Sequence, residues 1–262
     1  MKMRFALVDG QKTEPQSGLK GVCIGCESET LTKCGQRNAW HWAHKSKIPC
    51  DPWWENKTEW HRTWQDKFPR EWQEIRHIDP NTGDKHISDI TTDRWLVIEF
   101  QHSAINPTEA QSREAFYKDM VWVVDGTRLP KDYQRFNKGF NDLKPFPQGI
   151  FLSSFPDECF PASWLRCSVP VYFDFQGTHL IDEQEKKRAP LWCLFPGRIG
   201  SDAVIVEVSR QRFTELSLAA HHVLFFRETL DTISRSMLLR KVANAGTSRV
   251  QVLRRPRRHW RF

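Results

Sequence analysis

The pattern of apolar and polar positions between residues 71 and 100 predicts three consecutive β-strands. Residues 71–78 alternate as a strand does, and the turn sequence Pro80-Asn81-Thr82-Gly83 separates them from a second strand pattern at residues 85–91. Residues 95–100 form a nearly continuous apolar run, which is typical of a central strand buried on both faces. We therefore expect an antiparallel hairpin followed by a strand inside a sheet.

Helical patterns flank these strands on both sides. Before them, large aromatic residues are spaced to share one face of a helix at about residues 55–68; they are Trp53, Trp54, Trp60, Trp64 and Phe68. After them, Asn106-Pro107 supplies a cap and a first helical residue for a helix that continues to about Tyr117, and residues 120–124 follow as another buried strand. The order helix-strand-strand-strand-helix-strand predicts an α/β layer with a right-handed crossover.

The remaining parts of the chain carry weaker signals. Residues 4–8 form a strand pattern that the turn signal Asp9-Gly10 can close into a hairpin, whereas residues 23–50 have little apolar periodicity. Beyond residue 126 we expect strands near residues 149–152, 169–175, 191–195 and 203–208, with helices near residues 133–143, 211–220 and 227–243. The predicted units are a β-rich module at residues 1–52, an α/β core at residues 53–126 and an α+β region at residues 127–262.

Charge narrows the class of partner. The chain has 262 residues and a formal net charge of +7, which favours a polyanion. Arginines crowd the C-terminus beside His259 and Trp260, where guanidinium groups can neutralise phosphates and an indole can stack on a base. These arginines are Arg254, Arg255, Arg257, Arg258 and Arg261. A disordered, solvated tail is the alternative interpretation of this segment.

Cysteine usage indicates the compartment. The chain has seven cysteines and no recognisable secretory leader, which favours a reducing, cytoplasmic environment. The apolar run at residues 5–8 is too short for the core of a signal peptide or for a membrane span. We therefore expect a cytoplasmic protein without a membrane partner.

Candidate catalytic residues lie on the second and third strands of the predicted core. Asp89 is near the end of one strand, and Glu99 and Gln101 share one face of its antiparallel neighbour. Two carboxylates side by side favour a divalent cation, and Mg²⁺ or Mn²⁺ held there can activate water and stabilise charge on a phosphodiester. Gln101 is placed to orient that water. The structural alternatives are a turn cap for Asp89 and an edge charge for Glu99.

The preceding helix offers a third carboxylate. Glu59, in Thr58-Glu59-Trp60-His61, is the predicted contributor, and Glu55, one turn earlier, competes for the same role. A solvated helix face is the structural alternative for either glutamate. We expect Asp89, Glu99 and a helix acid to face one cavity.

Cysteine and histidine residues near the N-terminus have the spacing of a zinc site. Cys23-x-x-Cys26 can place two thiolates on a tight knuckle, and His41-x-x-His44 or Cys50 can complete a tetrahedron. We favour Cys23, Cys26 and His44, with either Cys50 or His41 as the fourth ligand. A closed site of four ligands is structural and performs no chemistry.

Other residues of this module have simpler roles. Cys34 is expected to be a free or packing thiol, and Cys159, Cys167 and Cys193 are expected to be buried small residues. The zinc module can serve as an arm that grips DNA through basic side chains, which are Lys33, Arg37, Lys45 and Lys47.

Several short motifs occur in a fixed order along the chain. They are Cys23-Ile24-Gly25-Cys26, His41-Trp42-Ala43-His44-Lys45, Thr58-Glu59-Trp60-His61, Ser88-Asp89-Ile90 and Ile98-Glu99-Phe100-Gln101-His102-Ser103, followed by Arg113 and Tyr117. This set resembles the competence protein CoiA family, a branch of the PD-(D/E)XK nuclease-like superfamily. The similarity covers about residues 23–126, and the ordered set is more specific than any single motif.

The resemblance implies a restriction-endonuclease-like α-β-β-β-α-β core and Mg²⁺-dependent cleavage of DNA. By the same resemblance, Asp89 and Glu99 would be metal ligands and Glu59 the helix-borne acid. The chain departs from the superfamily pattern at Gln101, where lysine is usual, and glutamine carries no positive charge to the transition state. The lysines considered as substitutes are Lys67, Lys85 and Lys118.

Two functions follow as hypotheses. The first is a metal-dependent DNA nuclease of the CoiA type, which the resemblance links to DNA uptake, recombination or related DNA processing in bacteria. The second is a non-catalytic accessory protein that uses a zinc ribbon and a nuclease-like fold to bring DNA to recombination or uptake proteins.

Overall fold

Strands dominate the architecture, which is mixed α/β. Within the described residues, fourteen strands form one sheet of five strands and one of nine. The structure, a computed structural model, describes residues 2–36, 39–45, 50–178, 183–219, 221–222, 225–237 and 239. Arg37, Lys47 and the arginines between residues 254 and 261 lie outside these ranges, so the DNA contacts expected of them stay predictions.

The five-stranded sheet is antiparallel and belongs to the N-terminal module. Its strands are β1 (Ala6–Val8), β2 (Gln11–Thr13), β3 (Lys20–Val22), β4 (Glu29–Lys33) and β5 (His41–His44), in the order β2-β1-β3-β4-β5. The predicted hairpin is confirmed, because Asp9 and Gly10 connect β1 to β2 with positive φ angles of 50° and 76°, as a tight two-residue turn requires. The small core consists of Met3, Ala6, Cys23 and Trp42.

The nine-stranded sheet carries the rest of the described structure. Its strands are β6 (Gln73–Ile78), β7 (Lys85–Thr91), β8 (Val97–Gln101), β9 (Met120–Asp125), β10 (Lys144–Phe146), β11 (Ile150–Ser153), β12 (Val171–Asp174), β13 (Leu191–Leu194) and β14 (Ala203–Val208). Their order is β10-β11-β14-β13-β12-β9-β8-β7-β6. Strands β8, β9 and β12 run parallel to one another, and the other pairs are antiparallel.

Helices cover both faces of this sheet. They are α1 (Glu59–Gln65), α2 (Pro107–Tyr117), α3 (Pro130–Gly139) and α4 (Arg210–Leu218), and residues 225–237 are also helical. Short 3-10 turns occur at Arg70–Trp72, Phe140–Asp142, Pro147–Gly149, Pro156–Glu158, Ala162–Trp164 and Glu183–Arg188. One apolar core unites α2 and α3 with the sheet, and a second core on the other face unites it with α1 and α4. No described helix is both long and apolar enough to cross a bilayer.

The predicted core order is present along the chain as α1-β6-β7-β8-α2-β9. Strand β7 covers residues 85–91 as predicted, and α2 joins the parallel strands β8 and β9. The first helix is shorter than the predicted 55–68, because the Thr58 side chain accepts a hydrogen bond from the His61 N–H and caps the helix there. Trp53 and Trp54 consequently pack elsewhere, whereas the other three predicted aromatic residues share one core.

Strand pairing and side-chain contacts join the parts of the chain. The parallel pairing of β9 with β12 makes a single sheet of the predicted core and the region after residue 126. The N-terminal module is tied to β6 by Glu74, whose buried carboxylate accepts the N–H groups of Arg4 and Phe5 at 3.3 and 3.2 Å. Glu74 has a φ angle of +48°, which marks local backbone strain at this junction.

Candidate active site and metal centre

The two acids predicted on β7 and β8 meet where those strands separate. The strands pair at Ile90 with Ile98 and at Thr91 with Val97, and the same register brings Asp89 opposite Glu99. Beyond these pairs, side chains replace ladder bonds: the Asp89 N–H donates to Glu99 Oε1 at 3.1 Å, and Asp89 Oδ2 accepts the Phe100 N–H at 2.8 Å. Asp89 and Glu99 are only 3% and 5% exposed, so these two charges need compensation.

Two buried cations compensate the acids. The ammonium group of Lys57 forms an ion pair with Asp89, and Arg113 Nη1, from α2, lies 3.2 Å from Glu99 Oε2. Arg113 is itself fixed by a hydrogen bond of 2.7 Å to the Trp53 carbonyl and by an ion pair with Glu109. All four oxygens of Asp89 and Glu99 therefore have a partner.

A third carboxylate reaches the same place, and it is Glu55 rather than Glu59. Glu55 Oε1 accepts the Ser103 N–H at 2.7 Å and the Gln101 side-chain amide at 3.3 Å, while Oε2 accepts the His102 N–H at 3.1 Å. Glu59 is exposed at the start of α1 and does not line this cavity. Since α1 begins four residues after Glu55, an extended segment carries Glu55 to the end of β8.

These side chains line a small space that we call the carboxylate cavity. Its volume is about 10 Å³, which is the room needed by a single water molecule. The lining residues are Trp53, Trp54, Glu55, Lys57, Ile87, Asp89, Glu99, Phe100, Gln101 and Arg113. The oxygens of its acids are hard ligands suited to Mg²⁺ or Mn²⁺, although among the described residues they do not form a group of three donors within 4.8 Å of one another.

Burial shifts the pKa values of an acid and of a base in the carboxylate cavity, Glu99 and Lys57. Burial raises the pKa of Glu99 to about 7, and Arg113 and Lys57 oppose this shift. Burial also lowers the pKa of Lys57, which Glu74, Glu99 and Glu55 oppose. The two cations thus limit the rise in the pKa of Glu99, because without their opposing fields desolvation alone would raise it further.

The cysteine and histidine cluster is assembled in the structure. The ligand atoms of Cys23, Cys26, His44 and Cys50 lie within 4.8 Å of one another, and this cluster could bind a metal such as zinc. The two Sγ atoms of Cys23 and Cys50 are 3.7 Å apart, close to the roughly 3.8 Å edge expected for a tetrahedron with Zn–S bonds of about 2.3 Å. A hydrogen bond with Cys50 lowers the pKa of Cys23 to about 5, which favours the thiolate that a metal binds.

Cys50, and not His41, is the fourth member of this cluster. His41 and His44 lie three positions apart on β5, so their side chains point to opposite faces of the strand. His41 Nδ1 instead forms a hydrogen bond of 2.9 Å with the Ala39 carbonyl. Cys34 is outside the cluster, and Lys45 forms an exposed ion pair with Glu29.

The cysteine and histidine cluster and the carboxylate cavity are neighbours in sequence as well as in space. Asp51, which follows Cys50, accepts hydrogen bonds of 2.9 Å from the Trp53 N–H and the Ile87 N–H, and it pairs with His86 Nδ1 at 2.9 Å. Trp53 stacks on His86 with ring centroids 3.3 Å apart. These contacts fasten the start of the segment that supplies Glu55 and Lys57.

Sequence reasoning missed Lys57 and Asp51. No local pattern distinguishes Lys57 from an exposed lysine in a polar segment, since its burial depends on the pairing of β7 with β8. The three lysines considered as substitutes for the one absent at Gln101 do not line the carboxylate cavity. For Asp51 a weak signal exists, because an acid directly after a metal-ligating cysteine is a candidate to hold the adjoining loop.

Comparisons with models of protein families, with curated proteins and with solved structures find no match to this chain. The resemblance to the CoiA family therefore stays a prediction that depends on the motifs.

Proposed function

We propose that this protein is a metal-dependent DNA nuclease of the CoiA type, with a core of the PD-(D/E)XK kind. The observation that carries the proposal is the pair of buried acids, Asp89 and Glu99, on adjacent antiparallel strands, with Glu55 and Gln101 lining the same cavity. The element order α1-β6-β7-β8-α2-β9 supports it, because that is the order expected of such a core.

Five residues of the carboxylate cavity have a role in this proposal. Asp89 and Glu99 would hold Mg²⁺ or Mn²⁺, with Glu55 as the third acid. When bound, the metal supplies an activated water and neutralises charge on the phosphodiester. Gln101, which donates to Glu55, orients the attacking water. Lys57 supplies the positive charge that lysine provides at the position of Gln101 in the superfamily, and its burial among carboxylates supports this role.

The Cys23, Cys26, His44 and Cys50 cluster holds a structural Zn²⁺ in our proposal. All four positions of a tetrahedron are taken by protein donors, which is typical of structural rather than catalytic zinc. The module would then present Lys45 and its neighbouring basic residues to DNA. The setting that we propose is the cytoplasmic processing of incoming or damaged DNA.

The test is a cleavage assay on the purified full chain. Labelled single-stranded, duplex and branched DNA are incubated with Mg²⁺, Mn²⁺ or EDTA. We expect metal-dependent cleavage that Asp89→Asn and Glu99→Gln each reduce at least about a hundredfold, as loss of an essential metal ligand does. Glu55→Gln is compared with Glu59→Gln, an exposed acid only four residues away. Undiminished cleavage by both Asp89→Asn and Glu99→Gln would refute the proposed site.

A specific observation favours the second function, a non-catalytic DNA-binding accessory protein. Every oxygen of Asp89 and Glu99 already has a hydrogen-bond or ion-pair partner, and glutamine stands at position 101. Such a protein would bind DNA without requiring Mg²⁺ or Mn²⁺. It would cleave none of the three substrates with either metal.

A further inference from the structure

A second cavity lies at the carboxyl ends of the parallel strands β8, β9 and β12. We call it the strand-end cavity, and its volume is about 200 Å³. Val124, Trp164 and Phe173 contribute apolar walls, whereas its polar lining includes His102, Ser103, Arg128, Asp132, Arg135 and Ser163. Crevices at the carboxyl ends of parallel strands are common ligand sites, and a few convergent polar groups on apolar walls are typical of them.

The acids of this cavity are already compensated. Asp125 is buried and accepts His102 Nδ1 at 2.7 Å, the Thr127 N–H at 2.8 Å and the Thr127 hydroxyl at 2.6 Å. Asp132 lies 3.8 Å from Arg135 Nη1, one turn along α3. Two acids, Asp125 and Asp132, and two guanidinium groups, Arg128 and Arg135, balance in charge, so the strand-end cavity has an excess positive charge when His102 is protonated on both ring nitrogens. The exposed guanidinium of Arg128 forms no ion pair with a described residue, and it is open to an anion.

His102 is held in a defined orientation. With its Nδ1 hydrogen bonded to the buried Asp125 carboxylate, the imidazole is fixed and its side chain remains 34% exposed. A histidine oriented in this way can present its other ring nitrogen to a ligand, and that nitrogen donates to an anion when both ring nitrogens carry protons. The hydroxyl groups of Ser103 and Ser163 line the same space and can donate to an anion.

The strand-end cavity and the carboxylate cavity share one short segment of chain. Gln101 lines the carboxylate cavity, and the next two residues, His102 and Ser103, line the strand-end cavity. Glu55 accepts hydrogen bonds from all three residues and so fixes the segment between the two cavities. The two cavities are therefore lined by consecutive residues at the end of one strand, an arrangement suited to a ligand with repeated phosphates.

We infer that the strand-end cavity binds a phosphate group of a DNA strand, with Arg128 and His102 as its principal donors. Guanidinium groups suit phosphate because their parallel N–H donors match two of its oxygens. The apolar walls at Val124 and Phe173 suit the sugar that adjoins the phosphate. The inference rests on the proposed function for the identity of the strand, but binding does not require that cleavage occurs.

The experiment measures binding in buffer without added Mg²⁺ or Mn²⁺, which retains tightly bound zinc, by fluorescence anisotropy of a short labelled single strand over a series of salt concentrations. Arg128→Gln is compared with Lys131→Gln, which removes the same charge from an exposed residue three positions away that does not line the cavity. We expect Arg128→Gln to weaken binding about tenfold and to reduce the salt slope by about 0.7, the value for one phosphate contact on a single strand. Lys131→Gln should change neither quantity appreciably.

Several outcomes distinguish this inference from the nuclease proposal. Equal affinities and equal salt slopes for the two variants would overturn the inference even if the native protein cleaves DNA. Conversely, a selective effect of Arg128→Gln would support it even if cleavage is absent with every metal. Labelled strands with and without a 5′-phosphate distinguish the two sources of phosphate. If Arg128→Gln weakens binding of both strands, the cavity binds an internal phosphodiester. If it weakens binding of the phosphorylated strand alone, the cavity binds the terminal phosphate. Thermal unfolding of both variants checks that the fold is retained.

Discussion

The buried carboxylate of Glu99, which lines the carboxylate cavity, should lower the stability of the fold when it is charged. Replacing Glu99 with glutamine tests this prediction. Burial raises the pKa of Glu99 from 4.5 to about 7. A folded-state pKa above the unfolded one means that the folded chain binds more protons, so stability is highest below pH 4.5 and falls as the pH rises through 7. A shift of about 2.5 units corresponds to about 3 kcal/mol at alkaline pH.

Glutamine keeps the shape of Glu99 and cannot ionise. We therefore expect the free energy of unfolding of the Glu99→Gln variant to rise relative to that of the native chain by about 2.5 kcal/mol between pH 5 and pH 8.5, since part of the effect is already present at pH 5. Urea denaturation at both pH values, without added Mg²⁺ or Mn²⁺, measures this difference. Glu59→Gln is the matched control, because Glu59 is exposed and should leave the pH dependence of the native chain unchanged.

The same variant connects stability to metal binding. Because a ligand that binds only the folded state raises stability, Mg²⁺ or Mn²⁺ should raise the unfolding midpoint of the native chain at pH 8.5 and should raise that of Glu99→Gln much less. Identical pH dependence in the native chain and Glu99→Gln would refute the reasoning, since it would mean that Glu99 titrates alike in the folded and unfolded states.

Three further predictions concern groups around the site. Lys57→Met should lower the free energy of unfolding by roughly 3–5 kcal/mol, because it leaves the Asp89 charge buried without its partner; urea denaturation checks this, and a loss no larger than that of Lys131→Met would contradict it. Cys50→Ser should reduce bound zinc from one ion per chain to near none, whereas Cys34→Ser should retain it; elemental analysis decides, and equal zinc in both would exclude Cys50 as a ligand. Asp174→Asn should lower the free energy of unfolding by roughly 3 kcal/mol in urea denaturation, because the buried Asp174 carboxylate accepts two indole N–H groups of α1 and pairs with Arg210. A loss below about 1 kcal/mol would show that these contacts of Asp174 are not needed for stability.

The central strands could be predicted closely from the sequence. Strand β7 matches the predicted residues, and β8 and β9 lie within about two residues of the predicted apolar runs. Both are buried on two faces, and such strands leave a continuous apolar signal in the sequence. The pairing of Asp89 with Glu99 followed from the same register, because a tight turn between two antiparallel strands determines which residues lie opposite each other.

The segment before α1 could not be predicted in the same way. Its aromatic residues have helical spacing, yet residues 54–58 are not helical. Contacts with distant parts of the chain hold this segment, above all those of Asp51 with His86 and of Glu55 with the end of β8. The choice of Cys50 over His41 was within reach of sequence reasoning, since a strand places residues three apart on opposite faces.

The adjacency of Cys50 and Asp51 has a consequence for the cell. If zinc is bound as we propose, Cys50 binds an ion that must be acquired from the environment. The next residue, Asp51, holds the loop whose position determines whether Glu55 and Lys57 reach their partners. If the chain is also the nuclease that we propose, a newly made copy lacking zinc would contain every residue of the carboxylate cavity and still be unable to assemble them. Cleavage of DNA would then begin only after zinc is bound.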